Sequence, residues 1–249
     1  DNRIFVQGTI REDGSSLFGA DNKWGLFWSA SASWNIANEK WFKNNVEAVN
    51  LLKIRGSYGV NGNNGISPYK AYGLYGAAIY NGLTGYLPSQ LENRVLSWER
   101  NKTLDFGLDF GILENTITGS IDWYNRKTVD LLLTKQIPQT TGFSTIFSNV
   151  GSMKNTGVEI QLEANIIQTT DILLSIGGNV AFIRTKILDL GGDEYLGTSL
   201  RNVVGMSMYN WYLYDYYGVN PSTGEALWVT EDGSLTNQQS KARRYYAGS

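Results

Sequence analysis

Residues 103 to 123 set the strictest limit on what this chain can fold into. From Thr103 to Ile112 every second residue is apolar: Leu104, Phe106, Leu108, Phe110 and Ile112. Thr103, Asp105, Gly107, Asp109 and Gly111 lie between them. Successive side chains of an extended chain point to opposite faces, so this alternation makes a strand with one greasy face and one wet face. Glu114-Asn115-Thr116 reverses the chain. Ile117, Gly119, Ile121 and Trp123 then carry the apolar face back, against Thr118, Ser120 and Asp122. The pattern predicts a hairpin with arms of about ten residues or more. Soluble strands are usually about five or six residues long, whereas a tilted strand crossing a bilayer needs about nine to eleven.

The same alternation recurs along the chain. Ile4, Val6, Gly8 and Ile10 alternate loosely with Phe5, Gln7, Thr9 and Arg11. Trp24, Leu26, Trp28, Ala30, Ala32, Trp34 and Ile36 face away from a series of small and polar residues. Leu52, Ile54, Gly56, Tyr58 and Val60 oppose Lys53, Arg55, Ser57 and Gly59. Val158 to Ile166 and Ile172 to Phe182 form a second long hairpin, turning at Gln168-Thr169-Thr170. Seven strands are predicted in all. Residues 38–50 break the pattern and read as a short helix or a polar connection. Residues 61–97 and 134–148 read as irregular connections, and the pattern is lost from Asp189 onward.

Composition removes several classes of function. Cysteine and histidine are both absent, which excludes disulfides, zinc sites built on those residues and any Ser-His or Cys-His nucleophile pair. The net charge of −2 supplies no basic field for nucleic acid. No run approaches about 18 consecutive apolar residues, so no transmembrane helix is expected. No signal peptide is evident, and both ends read as cut from something longer.

Two architectures fit the alternation. In a soluble sandwich the apolar face would meet a protein core, and Asp105, Asp109, Asp122, Glu159 and Glu163 would face solvent. In a transmembrane barrel the apolar face meets lipid and a polar lumen holds the carboxylates. Strand length and the Gly, Ser and Thr content of the wet face favour the barrel. The expected fold is therefore all-β, an antiparallel transmembrane β-barrel. Seven strands leave two bare edges, which hydrocarbon does not tolerate, so a partial arc of a larger barrel is expected. Short turns mark the periplasmic side and long connections the outer side. Two connections fit this orientation less well: 38–49 is long for a periplasmic turn, and 13–22 is short for an outer loop.

Three blocks add a resemblance: LLKIRGSYGVNGNNGISPY, SWERNKTLDFGLDFGILENTITGSIDWYNRKTVDLLL and TGFSTIFSNVGSMKNTGVEIQLEANII. In their order and spacing they resemble the barrel of SusC/RagA-type TonB-dependent outer-membrane transporters. The resemblance covers about residues 3 to 190, and more weakly continues to 228. It implies a barrel of about twenty-two strands around a plug. Residues 1–249 would be part of that barrel domain, with the plug not included. It also implies a bacterial outer-membrane location and active uptake of an oligosaccharide or peptide. The implied partners are TonB, acting through an upstream segment, and a SusD-like surface lipoprotein. No cofactor and no enzymatic activity are expected. The tail departs from the acidic, calcium-like loop of many members, so no metal is assigned.

Candidate ligand contacts are aromatic, because a ring offers an apolar body with a polar handle to a sugar. Trp211, Tyr212 and Tyr214 lie in the run MYNWYLYDYYG, and Tyr72 and Tyr75 in the long connection 61–97. The plainer reading of such residues is interfacial anchoring or packing between loops. Trp24, Trp28 and Trp34 read as girdle or lipid-facing residues. The carboxylates read as lumen solvation balanced by Lys53 and Arg55, in preference to a glycosidase pair about 5 to 9 Å apart. The stretch NGNNG lacks the strand-to-helix context of a phosphate loop and reads as a turn.

Overall fold

A computed structural model describes residues 2–248. Asp1 and Ser249, the two ends of the expected 1–249 barrel segment, lie outside the described residues. The chain divides into two compact units, residues 1–184 and 185–249.

The strands run in chain order as β1 (Ile4–Gly14), β2 (Trp24–Asn35), β3 (Val49–Asn63), β4 (Leu74–Tyr80), β5 (Leu83–Gln90), β6 (Glu99–Ile112), β7 (Ile117–Val129), β8 (Leu132–Gln136), β9 (Thr145–Asn149), β10 (Ser152–Gln168) and β11 (Leu173–Asp189). Seven of them form one sheet in the order β1-β2-β3-β6-β7-β10-β11. Their lengths, 11 to 17 residues, all suffice to cross a bilayer at a tilt.

Register fixes the two faces. Ile54 lies opposite Leu108, and Leu108 opposite Ile121, which lies opposite Ile160. That row and its neighbours make the apolar face continuous across four strands. The face is open: Phe106 is 52 % exposed, and Ile4, Val6, Trp28, Ile121, Ile176 and Phe182 are exposed as well. Large side chains on it lie over glycines of the next strand, which have no Cβ to obstruct them. Phe106 crosses Gly56, and Phe110 and Leu162 converge on Gly119. Phe106 also stacks on Trp123, with ring centres 6.0 Å apart, and Trp28 meets Tyr58 at 5.5 Å.

The buried apolar core of this unit lies at the long-loop end. Phe18, Phe27, Ile66, Ala71, Leu96 and Trp98 form it, with Trp98 5.1 Å from Phe18 and 5.4 Å from Phe27. The loop 15–22, short for an outer connection, is anchored there: Gly19 N–H donates to Leu96 O. The opposite end has tight reversals. Leu113, Glu114 and Asn115 all take positive φ in the turn between β6 and β7. Residues 36–48 hold a 3-10 turn and one short α-helix, α1 (Lys40–Lys43). Glu39 ties this connection to the sheet, accepting from Trp34 Nε1 at 3.1 Å and from Arg3 at 3.3 Å. The Trp34 hydrogen bond, followed by Arg3, holds its carboxyl below the usual range.

Two connections expected to be irregular contain hairpins. β4 pairs with β5 across Asn81-Gly82, both at positive φ, and β8 pairs with β9. The second unit holds β12 (Tyr195–Leu196), β13 (Leu200–Val203), β14 (Asn210–Tyr214), β15 (Tyr216–Val219), β16 (Ala226–Val229), β17 (Leu235–Thr236) and β18 (Arg244–Gly248). They form two small sheets, β12-β13-β14-β18 and β15-β16-β17.

Candidate functional site

The wet face of the large sheet carries a charged network built by register. Arg55 on β3 lies opposite Gly107 on β6, and Gly107 opposite Asp122 on β7. Having no side chain, Gly107 lets the arginine reach across an entire strand. A Cβ there would stand 2.5 Å from Arg55 Cζ and 2.6 Å from Asp122 Oδ1. Arg55 thus bonds Asp122 through Nη2 at 2.5 Å and Asp109 through Nε at 3.2 Å. Lys53 stands 3.8 Å from Asp109, and the Ser57 hydroxyl donates to Asp105 at 3.2 Å. These groups are partly exposed, so the network is a wetted wall. A hollow of about 240 Å³ lies over it, lined by Gln7, Ser31, Ser33, Lys53, Arg55 and Asp105 among others. A larger hollow, about 570 Å³, lies beside Leu162, Ala164, Ile176 and Val180 on β10 and β11.

Glu159 sits directly across from Asp122, whereas Glu163 lies further along the same strand, opposite Thr118. Among the described residues no group of three or more carboxylates gathers as a metal site.

The aromatic candidates separate into two kinds. Tyr212 is enclosed: Arg201 lies 3.9 Å above its ring, Arg244 at 5.2 Å, and Tyr246 is 4.8 Å away. Tyr214 is covered by Arg244 at 4.2 Å and by Trp228 at 6.1 Å. Both rings belong to the packing between β14 and β18, where Tyr212 opposes Tyr246 and Tyr214 opposes Arg244. Arg243 braces the same segment through Asp215 at 2.6 and 2.7 Å. Trp211 turns to the other face of β14 and is 48 % exposed. In the first unit Tyr72 is exposed, 6.4 Å from Tyr69, and its carbonyl accepts from Gln90 at 2.7 Å. Tyr75 stands on β4 opposite Pro88 and is 70 % exposed. Trp211, Tyr72 and Tyr75 are thus open rings, while Tyr212 and Tyr214 are already stacked. The sequence reading missed the arginines that cover them and the role of Gly107.

The sequence profile described as "TonB dependent receptor-like, beta-barrel" matches residues 1–248. The chain belongs to this family. It is 38 % identical over 205 residues to the TonB-dependent receptor SusC of Bacteroides thetaiotaomicron, covering 78 % of this chain and 20 % of that protein. A TonB-dependent receptor of Formosa agariphila is 33 % identical over 224 residues, covering 86 % of this chain and 22 % of that protein. Among solved structures, the RagAB peptide importer in its open-open state superposes with a TM-score of 0.86 at 29 % identity. That match covers all of this chain (100 %) and 28 % of the other. The chain thus spans about a fifth of the length of these curated relatives.

In an outer-membrane barrel the apolar face meets lipid and the polar face lines the lumen. The seven-stranded sheet is an arc of an outer-membrane TonB-dependent receptor barrel. Its apolar face meets hydrocarbon, and the Arg55 network faces the lumen. The family is one of receptors and transporters.

Proposed function

We propose that this chain forms part of the wall of a TonB-dependent importer that takes up an oligosaccharide or a peptide. It works with a SusD-like surface lipoprotein and draws energy through TonB, contacted by another part of the full receptor. The observation that carries this reading is the two-sidedness of the large sheet: exposed aliphatic and aromatic residues on one face, paired charges on the other. A soluble carbohydrate-binding module would have to leave that apolar face in water, which no observation favours. A solved neighbour described as a peptide importer supports the peptide class, and the resemblance to SusC-type transporters in the sequence blocks supports the oligosaccharide class.

We assign no catalytic role to the lumen carboxylates. Asp109 and Asp122 are held by Arg55, and Asp105 by Ser57. Glu159 and Glu163 are four residues apart on one strand, about 13 Å, too far for a retaining or inverting glycosidase pair. Trp211, Tyr72 and Tyr75 are the ring surfaces offered to cargo. Tyr212 and Tyr214 shape the segment that carries Trp211.

The test is deletion of the full receptor, followed by growth on a panel of oligosaccharides and peptides as sole nutrient. Loss of growth on at least one of them is expected, with the same loss when TonB is removed. A tagged receptor should also retain a surface lipoprotein through purification. Unchanged growth on every nutrient from a strain known to express the receptor would refute the importer reading.

A further inference from the structure

The hydrocarbon-facing surface ends, toward the long loops, in a row of cations that no lumen function explains. Lys102 on β6 lies directly across from Lys127 on β7, and Lys127 directly across from Lys154 on β10. Alternation puts all three on the lipid face. Below Lys102 come Leu104 and Phe106, below Lys127 come Asn125 and Trp123, and below Lys154 come Thr156 and Val158. Arg100, one step beyond Lys102, continues the basic face, and on β11 Arg184 follows Val180 and Phe182. Lys102, Lys127, Arg100 and Arg184 are exposed, and Lys154 is half-buried.

Like charges set directly opposite on one sheet face repel. Nothing on the same face of these strands, or of the adjoining β3, offsets them. The lipid-facing positions of β3, β6, β7 and β10 contain no Asp or Glu. Among the described residues, none of the three lysines forms a salt bridge. The missing counter-charge has to come from outside the sheet.

Height along the barrel indicates its source. Ten residues separate Lys102 from Ile112, the last apolar residue before the short turn. At about 3.4 Å per residue and a tilt near 40° that is about 26 Å of height, the thickness of the apolar band of an outer-membrane barrel. The lysines therefore stand at the outer edge of the hydrocarbon, just above the aromatic pair Phe106 and Trp123. Their apolar stems can lie along the sheet while the ammonium groups reach the headgroup level.

We propose that the Lys102–Lys127–Lys154 row binds the phosphate groups of an anionic lipid of the outer leaflet. This inference rests on the outer-membrane reading. Three ammonium groups in a line suit a phosphorylated headgroup, and the apolar row Phe106, Trp123 and Val158, two steps beneath them, accommodates that lipid's acyl chains. Dissolved phosphate would engage only the charges.

The experiment is native mass spectrometry on the full receptor in mild detergent. It is offered a phosphorylated glycolipid, the same lipid after enzymatic dephosphorylation, or inorganic phosphate. The wild type should retain the phosphorylated lipid alone. The triple variant K102Q/K127Q/K154Q should lose retention by roughly tenfold or more. K102R/K127R/K154R should keep it, as should K40Q/K43Q/K241Q, which removes the same charge elsewhere. Equal binding of the dephosphorylated lipid, saturation by inorganic phosphate, or full retention by the Gln triple variant would each overturn the site. A wild-type receptor absent from the outer-membrane fraction would refute the barrel reading and the lipid site together. A correctly assembled receptor that ignores these lysines refutes the lipid site alone.

Discussion

Replacing Leu108 by Arg tests sidedness energetically. Leu108 lies between Ile54 and Ile121, with Leu104 and Ile112 four residues to either side on the same face. It therefore sits near the middle of the apolar band. An arginine facing lipid near the midplane costs about 2 to 4 kcal/mol, roughly 30- to 900-fold in the folding equilibrium. The neighbouring residue, Asp109, points the other way, accepts from Arg55 and stands 3.8 Å from the Lys53 ammonium. Asp109→Asn keeps one acceptor in a wetted site, and such partly exposed pairs contribute about 1 kcal/mol or less. The assay is urea titration of the full receptor folded into vesicles, read by the heat-dependent shift in gel migration. Leu108→Arg should lower the folding free energy by at least about 2 kcal/mol and Asp109→Asn by much less. Equal losses, or a larger loss for Asp109→Asn, would refute the assignment of the two faces.

Gly107→Val should cost about 1 to 3 kcal/mol, because the new side chain would occupy the space of the Arg55 guanidinium. In an Arg55→Ala background the same change should cost measurably less, and a strictly additive double-mutant cycle would contradict the saddle role of Gly107. Trp211→Ala should weaken cargo binding while leaving folding intact. Tyr212→Ala should instead expose the β14–β18 segment to protease; the opposite pattern would exchange their roles. Asp232 accepts from the Thr230 hydroxyl, then from the Ser234 hydroxyl and backbone N–H, which lowers its pKa from 3.8 to about 2. A depressed carboxylate pKa stabilises the folded turn fully above pH 3.8, and that contribution disappears as pH falls through about 2. Pepsin should therefore cut near residues 230–234 more readily at pH 1.5 than at pH 4, and Asp232→Asn should remove the difference.

The wall was legible because a membrane-crossing strand must repeat its period over many residues. All seven strands of the large sheet and both short turns follow from alternation alone, as does the placement of Asp105, Asp109 and Asp122 opposite the apolar series. The outer hairpins were not read. Asn81-Gly82 is a strong turn signal, yet its flanking strands, rich in Gly, Ala and Tyr, lack a clean two-residue period. In the second unit, strands of two to five residues are too short for periodicity to register. Nothing local in the sequence announces that Arg244 covers Tyr212 and Tyr214, which it reaches from about thirty residues away through strand pairing. Gly107 likewise acquires its role only once Arg55 and Asp122 are placed beside it in register.

The most direct test of the two-faced wall uses the absence of cysteine from this chain. Single cysteines at positions 104 through 110 of an otherwise cysteine-free full receptor can be spin-labelled one at a time in reconstituted membranes. The measurement is accessibility to lipid-soluble oxygen against a water-soluble nickel chelate. Oxygen accessibility should peak at 104, 106, 108 and 110, and chelate accessibility at 105, 107 and 109. A flat profile, or the reverse phase, would contradict an apolar face in lipid and a charged face in the lumen.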